Sequence, residues 1–178
     1  MKKLLLLTAC LIALSVSAQV FNTASTLKKG QFSVGFEPGV YANGDSDFSL
    51  FLHGGAGLTS NVDLGVKIGL LNGDTYIGGD VEFALGRRFS LSFGAHSQNE
   101  FGIDGTALFT FPLKKGIGLY TGFDADIWFI DDETYMPMWI PVGLQIKMKS
   151  NMAFLFEAEI NVTDVGRHYI GGGLSFFF

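Results

Sequence analysis

His96, Asp104, Asp124 and Asp126 occupy one stretch of the chain. A histidine among carboxylates can draw a proton from water for hydrolysis, or supply ligands to a divalent cation. Four more residues are spaced as charge pairs, Lys67 with Asp80 and Glu37 with His53. The alternative for all eight is a salt-bridge and hydrogen-bond network that fills an interior. That reading is preferred, because carboxylates away from water are costly unless paired or hydrated.

The elements that must hold these residues are strands. Apolar residues alternate with small or charged ones along nearly the whole chain, the period of a β-strand with two unlike faces. Phe32, Val34, Phe36, Pro38 and Val40 share one face; Ser33, Gly35, Glu37, Gly39 and Tyr41 share the other. Ten segments follow this rule, at about 31–41, 48–58, 63–71, 75–86, 89–97, 101–112, 117–129, 137–148, 152–162 and 168–178. Their connections carry turn residues, among them Asn43-Gly44-Asp45, Asn72-Gly73-Asp74 and Lys114-Lys115-Gly116. Hairpin counting about those turns sets Lys67 opposite Asp80, Glu37 opposite His53, and Asp104 opposite Asp124 with His96 beside it. Pro38 and Pro141 each remove a ladder donor, so bulges are expected there, and eight strands with longer loops are the runner-up.

The second face holds Glu37, Asp63, Asp80, Glu82, Asp104, Asp124, Asp126, Glu157 and Glu159, against Lys67, Lys147, His53 and His96. Between them stand glycines and serines. Such a face makes a poor solvent surface but a serviceable crowded lumen, in which small residues leave room for a few large ones. The connections also sort by charge. Arg87, Arg88, Lys114, Lys115 and Lys149 fall at one end; Asp45, Asp47, Asp74, Glu100, Asp131, Asp132, Glu133 and Asp164 fall at the other. The fold expected is all-β, an antiparallel up-and-down transmembrane barrel of ten strands, with its apolar face toward lipid. Tyr41, Trp128 and Trp139 then serve at the upper rim as girdle or plug residues.

The first residues set the compartment. Lys2 and Lys3 precede an apolar run from Leu4 to Val16, and Val16-Ser17-Ala18 offers a cleavage site, which predicts a secretory signal over 1–18. Leu7-Thr8-Ala9-Cys10 has the form of a lipoprotein box, but the apolar run continues past Cys10 and disfavours it. Residues 19–30 are then a periplasmic segment and 31–178 the barrel. Cys10 is the one cysteine, so the mature chain has no disulfide framework. It retains 10 cations against 17 acids, a formal charge of −7, which argues against a nucleic-acid partner. The glycines show no phosphate-loop spacing, and no cofactor is expected.

The last residues, Ile170-Gly171-Gly172-Gly173-Leu174-Ser175-Phe176-Phe177-Phe178, resemble the final strand of bacterial outer-membrane β-barrel proteins. In that family a terminal phenylalanine with apolar residues at alternate upstream positions is read by the barrel-assembly machinery. The resemblance assigns this role to Phe178, Phe176 and Leu174, implies residence in the outer membrane, and makes outer-membrane lipid and that machinery the partners. The carboxylates with His96 resemble in kind the Asp/His arrangement of omptin proteases, although no omptin motif matches residue by residue. His96-Ser97 brings together the residue types of lipid A deacylase barrels. Those space the two by one residue, whereas here they are adjacent and face opposite sides. The function expected is a non-enzymatic outer-membrane barrel, structural or a narrow channel that prefers cations. Its rivals are a barrel hydrolase or metal-binding barrel built on the His96 cluster, and a soluble cell-surface β-sandwich adhesion module.

Overall fold

The computed structural model describes residues 25–42, 47–71, 73–130 and 133–178. The expected signal over 1–18, residues 19–24, the Asn43-Gly44-Asp45 turn, Asn72, Asp131 and Asp132 lie outside the described residues.

Ten long strands form a closed antiparallel barrel. They are β1 (Phe32–Ala42), β2 (Asp47–Gly57), β3 (Val62–Leu71), β4 (Asp74–Ala84), β5 (Phe89–Gln98), β6 (Glu100–Lys114), β7 (Ile117–Ile130), β9 (Met138–Lys149), β10 (Met152–Asn161) and β11 (His168–Phe177). Each pairs with its neighbours along the chain, β7 pairs with β9, and β1 pairs with β11 to close the ring. The three-residue β8 (Glu133–Tyr135) folds back on the end of β7 and lies outside the ring. The count is ten, not eight. The alternation made the ten strands legible, whereas β8 is too short to display it.

At Pro38 and Pro141 the expected bulges are absent. The β1–β11 ladder pairs Phe36 with Leu174 and resumes with Gly39 and Gly171, in unchanged register. The β7–β9 ladder pairs Thr121 with Val142 and resumes with Asp124 and Trp139, again without a shift. Each proline costs pairings on one side only and keeps the opposite ladder continuous. The register shifts lie at Met152/Ala153 and Pro112/Lys114 instead.

The two faces separate as the alternation predicts. Phe36, Phe93, Phe109, Phe123 and Ile140 point outward and are exposed, while Ser33, Glu37, Asp63, Glu82, Ser92 and Ser175 point inward and are buried. Inside, large side chains lie over glycines of adjacent strands. A Cβ added at Gly143 would collide with the Tyr120 ring, one at Gly39 or Gly171 with Tyr169, and one at Gly102 with His96. The glycines therefore make space for a few bulky residues in a narrow bore.

The half of the bore nearer the termini is filled. Tyr120, Ala153 and Leu155 are at most 1 % exposed, and Phe177 packs on the last two. Leu27 enters from below and is buried, its N–H donating to Asp63 Oδ2 at 2.6 Å. Gly30 N–H donates to the Gly57 carbonyl and Gly57 N–H to the Gln31 carbonyl, so residues 27–31 are stitched across that mouth. Gly57 must lack a side chain here, because a Cβ would fall on the Lys28 carbonyl. Lys147, expected inside, is exposed at this end of β9, because the bore stops short of it.

Candidate functional site

Above the filled half, the bore widens into a cavity of about 600 Å³ that opens at the mouth opposite the termini. A volume of this size is ordinary for a small-molecule site. Its floor is formed by Glu37, Lys67, Leu108 and Glu157, its middle by His96 with Asp104, Asp124 and Asp126, and its rim by Trp128, Trp139 and Arg167.

The His96 cluster assembles across three strands. β5 and β6 pair His96 with Gly102, and β6 and β7 pair Asp104 with Asp126. His96 Nδ1 lies 3.4 Å from Asp104 Oδ2 and its Nε2 3.7 Å from Asp126 Oδ2, with the Tyr76 ring alongside at 5.4 Å. Trp128 Nε1 donates to Asp126 at 3.0 Å. Asp124 stands one tier lower, opposite Thr106, whose hydroxyl donates to it. The expected Asp104–Asp124 opposition is thus corrected to Asp104–Asp126. A two-residue turn centred on Gly116 (φ +81°) and the shift at Pro112/Lys114 reset the ladder by one inward position.

The two pairs on the other wall fare differently. His53 Nε2 lies 2.8 Å from Glu37 Oε2, both buried, although the ladder sets His53 opposite Gly35. The Tyr169 hydroxyl donates to Glu37 Oε1 at 2.8 Å. Lys67 does not face Asp80. The tight turn at Gly73 (φ +104°) pairs Leu71 with Asp74, which sets Lys67 opposite Gly78 and Asp80 opposite Gly65. The Lys67 ammonium sits 4.9 Å above the Phe51 ring, within electrostatic reach of Glu37, Glu157 and Glu159. Phe178, Phe176 and Leu174 lie at the terminal end; Phe176 and Leu174 pair with Val34 and Phe36 of β1 and thereby sit at the seam that closes the ring.

The rim carries residues that the alternation did not single out as functional. Trp139 Nε1 donates to the Arg167 carbonyl at 2.8 Å, and the Arg167 side chain pairs with Asp47 and covers the Tyr41 ring. Asn161 and Thr163 hold the 162–167 loop by bonds to the Val165 carbonyl. Trp128 and Trp139 lie 6.2 Å apart, facing the cavity rather than the outer surface. Tyr41, Trp128 and Trp139 therefore line the bore and are not girdle residues.

Chemically, each carboxylate of the His96 cluster already meets a fixed partner. Among the described residues, no three histidine, cysteine, aspartate or glutamate side chains converge closely enough to hold a metal ion.

No protein-family model and no curated protein matches the chain. Solved structures of similar shape include a de novo designed transmembrane β-barrel, at 14 % identity over 86 % of this chain and 99 % of that one, with a TM-score of 0.48. The translocator domain of the autotransporter NalP from Neisseria meningitidis is similar at 10 % identity over 83 % of this chain and 88 % of that domain, TM-score 0.48. A KdgM porin in complex with disordered oligogalacturonate matches at 8 % identity over 82 % and 99 % of the two chains, TM-score 0.49.

Proposed function

We propose that this protein is a non-enzymatic β-barrel of the bacterial outer membrane, with a lumen open to the cell exterior as an acidic vestibule and closed toward the periplasm. The observation that carries this reading is the inverted polarity of the barrel. Phenylalanines such as Phe93 and Phe109 are exposed on the outer wall while Glu37, Asp63 and Glu82 are almost wholly buried inside. Ten residues at ~3.3 Å each, tilted by about 40°, cover an apolar band ~25 Å tall, the height of an outer-membrane barrel's lipid face. A soluble sandwich would bury the phenylalanines and expose the acids.

The closed lower half favours a structural or receptor role over a conducting one. Tyr120 and Leu155 are at most 1 % exposed, and Leu155 packs with Ala153 and Phe177 in the half of the bore nearer the termini. The acid-rich upper half supports a second reading, a narrow cation-preferring channel that conducts only when the segment around Leu27 is withdrawn. Partners follow from the same proposal: outer-membrane lipid around the wall, and the barrel-assembly machinery at Leu174, Phe176 and Phe178. The partnered state of the His96 cluster favours a structural network over hydrolysis.

Two measurements on the refolded chain test the proposal. Unboiled protein should migrate differently from boiled protein on a denaturing gel, and planar bilayers containing it should show no steady conductance. Migration independent of boiling would reject the barrel. Steady cation-selective conductance would move the assignment to the channel.

A further inference from the structure

The vestibule is unlike a simple charged lumen in two respects. Ten carboxylates line it against Lys67 and Arg167, and aromatic rings stand among them from floor to rim. The acids are also spread over depth. Glu157 and Glu159 occupy successive inward positions of β10, Asp124 and Asp126 successive inward positions of β7, and Asp47 and Glu100 the strand ends at the mouth. Inward positions on a strand recur about every 6.6 Å, so these charges form tiers rather than one cluster. That arrangement does not suit a single divalent ion, in keeping with the absence of a convergent ligand set among the described residues.

Glu157 is 8 % exposed and is directed into the cavity, and among the described residues no cationic side chain stands within ion-pairing distance of it or of Glu159. The Lys67 ammonium, held over the Phe51 ring, is one cation shared among Glu37, Glu157 and Glu159. A buried carboxylate without an ion-pair partner is stabilised in its charged form when a cation is supplied from outside. At the rim, Trp128 and Trp139 present tilted faces to the same space. Aromatic faces attract organic ammonium groups and contact the alkyl segments between them.

We propose that the vestibule binds an elongated organic cation carrying two or more amines, its ammonium groups taken by successive carboxylate tiers and its alkyl body by Trp128, Trp139 and Tyr76. The ligand enters from the open mouth and stops on the Glu157 floor, above the Tyr120–Leu155 plug. This assignment rests on the reading of a lumen closed at one end, and names the ligand class that such a lumen accepts.

The chain has two tryptophans, and both line the vestibule, so intrinsic fluorescence reports directly on occupancy. Spermidine titrated into the full mature chain, refolded in detergent, should change tryptophan emission saturably, with a matching calorimetric isotherm. Magnesium chloride or sodium chloride at equal ionic strength should not reproduce it. Glu157→Gln with Glu159→Gln should weaken binding by about tenfold or more. Should that variant lose heat-modifiable migration, Asp124→Asn is the substitute and carries the same direction of effect. The proposal is overturned by an equal response to simple salts, by affinity unchanged in a folded variant, or by no isotherm and no fluorescence change in the folded parent. The last result, with heat-modifiable migration intact, would leave the barrel reading standing and remove only the ligand.

Discussion

His53 stands across from Gly35 in the β1–β2 ladder, yet its Nε2 lies 2.8 Å from Glu37 Oε2. The contact is diagonal: inside a narrow bore, long side chains reach past the residue directly opposite them. Glu37 also accepts from Tyr169 of β11, so this one carboxylate ties together the three strands at the closure of the ring. His53→Leu removes one partner of a buried pair and should cost about 3–5 kcal/mol in denaturant unfolding. Adding Glu37→Gln, which keeps an acceptor for Tyr169, should recover most of that loss. A double variant no better than His53→Leu alone would show that the pair contributes nothing to closure.

Lys67 is predicted to couple to Glu37 and not to Asp80. Its ammonium is held over the ring of Phe51, the residue that pairs with Glu37 across β1 and β2. In double-mutant cycles, Lys67→Met with Glu37→Gln should show an interaction of roughly 0.5–3 kcal/mol, and Lys67→Met with Asp80→Asn a smaller one. The reverse order would restore the Lys67–Asp80 pairing expected from the turn.

The outer wall and the bore should respond differently to the same substitution. Phe123→Arg places a charge against lipid at the middle of β7 and should cost roughly 2–4 kcal/mol in unfolding from bilayers. Gly143→Ala changes no polarity, but its methyl meets the Tyr120 ring and should loosen the plug instead. The two are separable by spin labels at neighbouring outward sites. Collision with an aqueous quencher at position 123 would contradict the outward assignment of that face.

The segment across the lower mouth should detach when Gly57 gains a side chain. A Cβ at Gly57 falls on the Lys28 carbonyl, so Gly57→Ala should raise the rate of tryptic cleavage after Lys28 or Lys29 by about tenfold, in proportion to the open population. The ring itself should survive, read as unchanged heat-modifiable migration. Equal cleavage rates would mean that residues 27–31 are not held by this contact.

Orientation is checked from outside the cell. A cysteine at Glu133 should react with an impermeant maleimide on intact cells, and one at Lys115 only after lysis. The opposite pattern would invert the barrel and place the vestibule in the periplasm.

Phe32, Val34 and Phe36 alternating with Ser33, Gly35 and Glu37 sufficed to identify β1 and both of its faces, because side-chain direction along a strand is a local property of period two. The same holds for the other nine barrel strands and for the inward placement of His96, Asp104, Asp124 and Asp126. What alternation cannot convey is height within the bore. Inward positions recur every second residue, so moving the centre of a turn by one residue shifts the facing strand by two and an entire wall by one tier. That is why Asp104 meets Asp126 and not Asp124, and why Lys67 meets Gly78 and not Asp80. The plug was still less accessible, since Leu27 lies in a non-strand segment with no periodicity and its partner Asp63 is 36 residues away. Closure of the ring settled the rest. Once β1 and β11 pair, the bore has a fixed width, and that width decides that Tyr120 and Leu155 fill the lower half while Trp128 and Trp139 frame an open cavity above.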